Sequence, residues 1–129
     1  MAGTPDAAAS AFAEIAAVAR DYLDGMVYAD EAQLRRAFHP KCLMVGLYNG
    51  RHEFDAIDTF IAFVIKTGGL KRGTPYYNEI VAIDVTGDIA MLKLTDDFLG
   101  ERYTDYLTLH RENGRWLIVH KAFYVHPAA

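Results

Sequence analysis

Two long β-forming segments, Tyr103 to Glu112 and Arg115 to Val125, meet at the dipeptide Asn113-Gly114. Asn-Gly between such runs specifies a two-residue type I′ turn, because both central residues must take positive φ. That turn sets a register. Glu112 pairs with Arg115, Leu109 with Ile118, Leu107 with His120, and Asp105 with Ala122. Side chains alternate along strands, so Asp105, Leu107, Leu109, Trp116, Ile118 and His120 are expected on one face. Tyr106, Thr108, His110, Leu117, Val119, Lys121 and Phe123 fall on the other.

The same punctuation recurs upstream. Cys42 to Tyr48 and Arg51 to Phe54 flank Asn49-Gly50, a second type I′ signal, and strands from Tyr76 to Val85 and Ile89 to Phe98 join at Thr86-Gly87. Helical signals precede the strands. Phe12, Ile15, Ala16, Ala19, Leu23 and Met26 form one apolar stripe at 3.6-residue spacing, with Tyr22 on its edge. Asp30 followed by Gln33 reads as a capping box that starts a short helix, Glu31 to Phe38, ended by Pro40. Asp55 is expected to cap a third helix, Ile57 to Lys66, stopping at Gly68-Gly69. Helices first and an antiparallel meander afterwards make the class α+β, in a single domain spanning residues 1–129.

Composition excludes several functions. Of 129 residues, 52% are apolar and the net charge is −4, so no electrostatic footprint for a nucleic-acid backbone exists. No apolar run reaches the roughly 20 residues that cross a bilayer. The Ala-rich N-terminus lacks the basic and continuous apolar regions of a secretory leader. The single cysteine, Cys42, builds neither an internal disulfide nor a thiolate metal site. A cytoplasmic location is the expectation.

In the register set by Asn113-Gly114, His120 and Asp105 are diagonal neighbours, roughly 7–8 Å apart at Cβ. A carboxylate beside an imidazole raises its basicity and fixes its tautomer, as a general base requires. The alternative is a buried, satisfied polar pair with no task. No metal is expected: His110 lies on the opposite face from His120, and His126 is six residues farther along the strand. His39 is expected at a helix C-terminus. Lys71 and Arg72, in a glycine-flanked loop, either steer an anionic ligand or simply lie in solvent. Asp96-Asp97 is expected at a solvated hairpin end or at a pocket mouth. A sheet apolar on both sides needs two coverings. The helices supply one, and a second subunit is expected to supply the other, with Lys121 reaching around its edge.

On the segments DYLDGMVYADEAQLRRAFHP, CLMVGLYNG and TDYLTLHRENGRWLIVHKAFY, the chain resembles the nuclear transport factor 2-like superfamily, which includes ketosteroid isomerase, scytalone dehydratase and SnoaL-type polyketide cyclases. The last two segments look most like the small bacterial subgroup labelled lumazine-binding. The resemblance implies a cone-shaped, curved antiparallel sheet wrapped around the three helices, the cystatin-like roll, with a deep apolar pocket and dimerisation through the sheet's outer face. It places Tyr22, eight positions before Asp30, at the isomerase's oxyanion-hole tyrosine. It sets Asp105 or, by hairpin length, Tyr106 at the second oxyanion-hole acid, and it puts Gly46 where the isomerase keeps its general base.

The combined expectation is a cofactor-free isomerase, dehydratase or cyclase acting on a small apolar carbonyl or aromatic compound. His120 is its acid/base, Asp105 orients His120, and Tyr22 donates to a developing enolate oxygen. Met44, Gly46, Phe60, Phe63, Tyr106 and Trp116 contact the ligand. The alternative is a non-catalytic binding or interaction module of the same fold.

Overall fold

Helix α1, Pro5–Val27, opens the chain, and its buried stripe runs Ala11, Ile15, Ala19, Tyr22, Leu23 and Met26. Phe12, expected in that stripe, is exposed, because the stripe is centred one position earlier, on Ala11. The computed structural model describes residues 5–128, with side chains from residue 9 onward. The expectation about a leader segment therefore rests partly on residues outside those described. Asp30 accepts from the Gln33 amide at 3.0 Å and caps α2, Glu31–Ala37. The helix stops at Ala37, before Pro40, because Phe38 already takes extended backbone angles and starts β1, Phe38–Tyr48.

Asn49 and Gly50 both have positive φ, 51° and 77°, and turn β1 into β2, Arg51–Ala56. The ladder with β1 continues as far as Leu43–Ala56, which holds Asp55 in the strand. Helix α3, Ile57–Thr67, therefore begins at Ala56 without a side-chain cap, contrary to the expectation for Asp55. After Gly68 the chain crosses to β3 (Asn78–Thr86), β4 (Ile89–Phe98), β5 (Glu101–Glu112) and β6 (Arg115–Val125). The joints are two-residue turns at Gly87-Asp88, Leu99-Gly100 and Asn113-Gly114.

The six strands form one curved sheet in the order β2-β1-β6-β5-β4-β3. All neighbours are antiparallel except β1 and β6, which run parallel. The sheet is thus mixed, because the chain returns from β2 through α3 and the far strands before β6 lies beside β1. The three helices lie against its concave side. Leu92, Leu94, Leu107, Leu109 and Ile118 from the central strands are fully buried there against α1, each worth about 1.5–3 kcal/mol of transfer free energy.

One irregularity decides what faces the helices. From Glu112–Arg115 to Leu109–Ile118, β5 and β6 pair in the expected register. The next pair is Thr108–His120, so Val119 is an extra, unpaired residue, a β-bulge. Beyond it every side chain of β6 changes face relative to the expectation. Lys121 and Phe123 turn inward, and His120 turns outward alongside Thr108.

Candidate functional site

A cavity of about 730 Å³ opens between α1, α3 and the concave sheet. Its body is aromatic and thioether: Met26, Met44, Phe60, Phe63, Phe98, Tyr103 and Phe123. Glu53, Asp55 and Glu101 give it an acidic border, while Tyr22, Asp96 and Lys121 supply polar groups among the aromatic rings. Its size suits one small molecule.

Tyr22 comes from α1 and Asp105 from the middle of β5. The Tyr22 hydroxyl donates to Asp105 Oδ2 at 2.6 Å in a fully buried setting. Burial, followed by the charge of Asp105, raises the Tyr22 pKa well above its ordinary value. Burial also raises that of Asp105, opposed by the nearby Lys121 charge and by the Tyr22 hydrogen bond. Asp96, on β4, is buried too, and neither of its carboxylate oxygens has a hydrogen-bond partner. Burial and then the charge of Asp105 push it up to about 8, so it is largely a neutral carboxylic acid at neutral pH.

Lys121 is buried between these acids and the aromatic wall. Its amine lies 4.5 Å from the ring centre of Phe60, 4.7 Å from Tyr22 and 5.2 Å from Phe123, three cation–π contacts. The charge of Lys121 opposes the rise that burial imposes on both Asp96 and Asp105. This is how three ionisable groups can share a buried site.

Tyr22, Met44, Phe60 and Phe63 line the cavity, and Asp105 lies directly behind Tyr22. Other expectations require correction. His120 is half-buried on the convex face and cannot pair with Asp105, because the bulge at Val119 reverses its direction. Lys121 and Phe123, expected outside, are inside for the same reason. Tyr106 is 49% exposed on the convex face, since Asp105 takes the inward position of β5. Trp116 is buried in the core toward the α2 end and does not line the cavity. Gly46 is not part of the lining either. A Cβ there would stand 1.9 Å from Cζ of Phe123, so the glycine makes room for that ring.

Asp96, expected at a solvated hairpin end or at a pocket mouth, is buried in the cavity wall. Its signal was present: Ala90, Leu92, Leu94, Asp96 and Phe98 share one parity of β4, and a lone acid in an apolar row points into the core. Its neighbour Asp97 points outward and pairs with Arg102. Lys71 and Arg72 lie away from the cavity. Arg72 donates to Asp30 and Gln33, closing the loop against the start of α2.

His39, His110 and Glu112 converge on the convex side, with both histidine Nε2 atoms 3.1–3.3 Å from Glu112 Oε2. The spacing would suit a metal, but the protons do not. His39 Nδ1 accepts from the Lys41 amide at 3.0 Å, so the ring proton sits on Nε2 and points at Glu112. A metal-ligating imidazole has the reverse arrangement, donating from its other nitrogen. The trio is a hydrogen-bonded patch, with His39 on β1 rather than at a helix end.

Comparison with known proteins agrees with this geometry. Residues 10–124 match the family described as "Putative lumazine-binding". Among solved structures, an NTF2-like protein of unknown function from Silicibacter pomeroyi DSS-3 is 31% identical, with 92% of this chain and 98% of that one covered, at a TM-score of 0.86. An NTF2-like protein of unknown function from Shewanella baltica OS155 is 22% identical, covers 98% and 100%, and reaches 0.85. A ketosteroid isomerase-like protein from Erwinia carotovora atroseptica SCRI1043 shares the fold at 17% identity, with 90% and 96% covered and a TM-score of 0.69. No curated protein gives a significant match.

Proposed function

The chain belongs to the lumazine-binding family of nuclear transport factor 2-like proteins, a pocket fold for small ligands, and from that premise we propose that its cavity takes up a small, largely apolar carbonyl or aromatic compound and moves a proton on it. The supporting observation is Asp96: a buried carboxyl with two unpartnered oxygens at the wall of an aromatic cavity. Its elevated pKa suits an acid/base that works near neutrality. While Asp105 is ionised, the Tyr22 hydroxyl is spent on it, so Tyr22 and Asp105 set the field around Asp96 and Lys121 holds the carbonyl oxygen by hydrogen bonding. No cofactor enters this reading. The acidic border, Glu53, Asp55 and Glu101, disfavours anionic ligands.

Thermal-shift and native mass spectrometry screens with ring ketones, pterins and flavins would identify ligands. For a ketone that binds, exchange of its α-protons in deuterated water, followed by NMR, tests proton transfer. Exchange that is catalysed by the native chain and abolished in Asp96→Asn is expected. Tight binding without exchange would overturn the acid/base role.

One observation favours a second reading, a binding module without chemistry. The space over Gly46, where ketosteroid isomerase keeps its base, is filled by Phe123. Pterins are the first ligands to test for that reading, given the family's label.

We also propose that a second copy covers the convex face. Leu43, Met91, Tyr106 and Tyr124 are exposed there, and a homodimer would bury them.

A further inference from the structure

The chain has five lysines. Lys41, Lys66 and Lys71 are exposed and Lys93 is half-buried, whereas Lys121 is 4% exposed and lines the cavity. A lysine ordinarily extends its stem over apolar surface and delivers its charge to water. Lys121 does the opposite, reaching inward from the middle of β6 because of the bulge at Val119. Its amine makes no hydrogen bond or ion pair among the described residues, and three aromatic rings surround it. Nor is it sealed. Lys121 and Asp96 both line the cavity. An accessible amine with no anchoring partner, an apolar wall and a carboxylic acid close by are what amine condensation with a carbonyl requires.

We propose that Lys121 Nζ forms an imine with an aldehyde or ketone admitted to the cavity. The reacting form is the free amine, the ammonium having released one proton to solvent. Nζ attacks the carbonyl carbon, a C–N bond forms, and the C=O π pair moves to oxygen, which takes the Asp96 proton. Nζ then returns a proton to the Asp96 carboxylate. Asp96 protonates the carbinolamine hydroxyl, the C–O bond breaks, and water leaves. The products are an iminium on Lys121, its charge matched by the Asp96 carboxylate, and one water. No oxidant or reductant is consumed. The acidic border suits neutral carbonyl compounds over keto acids, and the aromatic walls suit aryl or cyclic ones. This inference rests on the proposed uptake of a carbonyl ligand and replaces the hydrogen bond from Lys121 with a covalent link.

The test is reductive trapping of the native chain with benzaldehyde or cyclohexanone and sodium cyanoborohydride, followed by peptide mapping. Lys121 should be modified ahead of the four other lysines, and that preference should vanish in guanidinium-unfolded chain. Lys121→Arg, which keeps the positive charge, should lose the label at this position. Modification of Lys41, Lys66, Lys71 or Lys93 with Lys121 untouched would overturn the proposal. So would α-proton exchange of a bound ketone without trapping at Lys121, which leaves the Asp96 chemistry standing. Absence of binding, exchange and trapping together would overturn both.

Discussion

The Tyr22 hydroxyl donates to Asp105 Oδ2 over 2.6 Å, joining helix α1 to the centre of the sheet across 83 residues of sequence. Both groups are buried, so the bond has no competition from water. Tyr22→Phe leaves a buried carboxyl with no partner at either oxygen, since Oδ1 already has none. The expected loss is about 1–3 kcal/mol in urea unfolding. A cycle with Asp105→Asn should recover part of it, because the amide no longer needs a strong donor.

Asp96 makes stability depend on pH with a defined sign. In the unfolded chain its carboxyl ionises near 3.8, and in the folded chain it keeps its proton up to about 8. Between these values the folded chain binds the extra proton. The contribution is therefore whole below the unfolded value and is lost as pH rises toward about 8, by at most about 1.4 kcal/mol per pH unit. Asp96→Asn should flatten this slope in denaturation curves recorded across that window. The variant should also be the more stable protein above about pH 8. An unchanged slope would remove the buried acid from the account.

Gly46 and Phe123 are fitted to one another. Gly46→Ala places a methyl inside the Phe123 ring volume, with an expected cost of about 1–3 kcal/mol. Adding Phe123→Leu should restore much of the stability and enlarge the cavity. Calorimetric unfolding of the single and double variants measures this directly.

The two adjacent residues of β6 should behave in opposite ways. His120→Ala is expected to leave ligand binding and α-proton exchange unchanged, as its side chain lies on the convex face. Lys121→Met should reduce both while keeping the packing of the stem. Ligand titration of the two variants side by side would overturn the assignment of faces if His120 were the sensitive one.

Dimerisation is expected through the convex sheet. Tyr106→Glu, on the half-exposed centre of that face, should shift sedimentation toward the monomer without altering the cavity. A native chain that sediments as a monomer at high concentration would rule out this interface.

The sequence by itself determined the element order, the α+β class and the type I′ turns, because these depend on contacts among neighbours in the chain. Asn49-Gly50 and Asn113-Gly114 dictate positive φ whatever surrounds them, and the register is correct for as long as the turn controls it, down to Leu109–Ile118. Alternation along β4 also held the signal for Asp96. The parallel β1–β6 pair was not legible, since no local signal states which distant strand will be a neighbour. Nor was the inward turn of Lys121. One unpaired residue, Val119, reverses every side chain beyond it, and neither His120 nor Lys121 alters the local pattern enough to reveal which is inside. Only the tertiary structure settled that, by packing Phe123 over Gly46 and placing the Lys121 amine among Phe123 of its own strand, Tyr22 of α1 and Phe60 of α3.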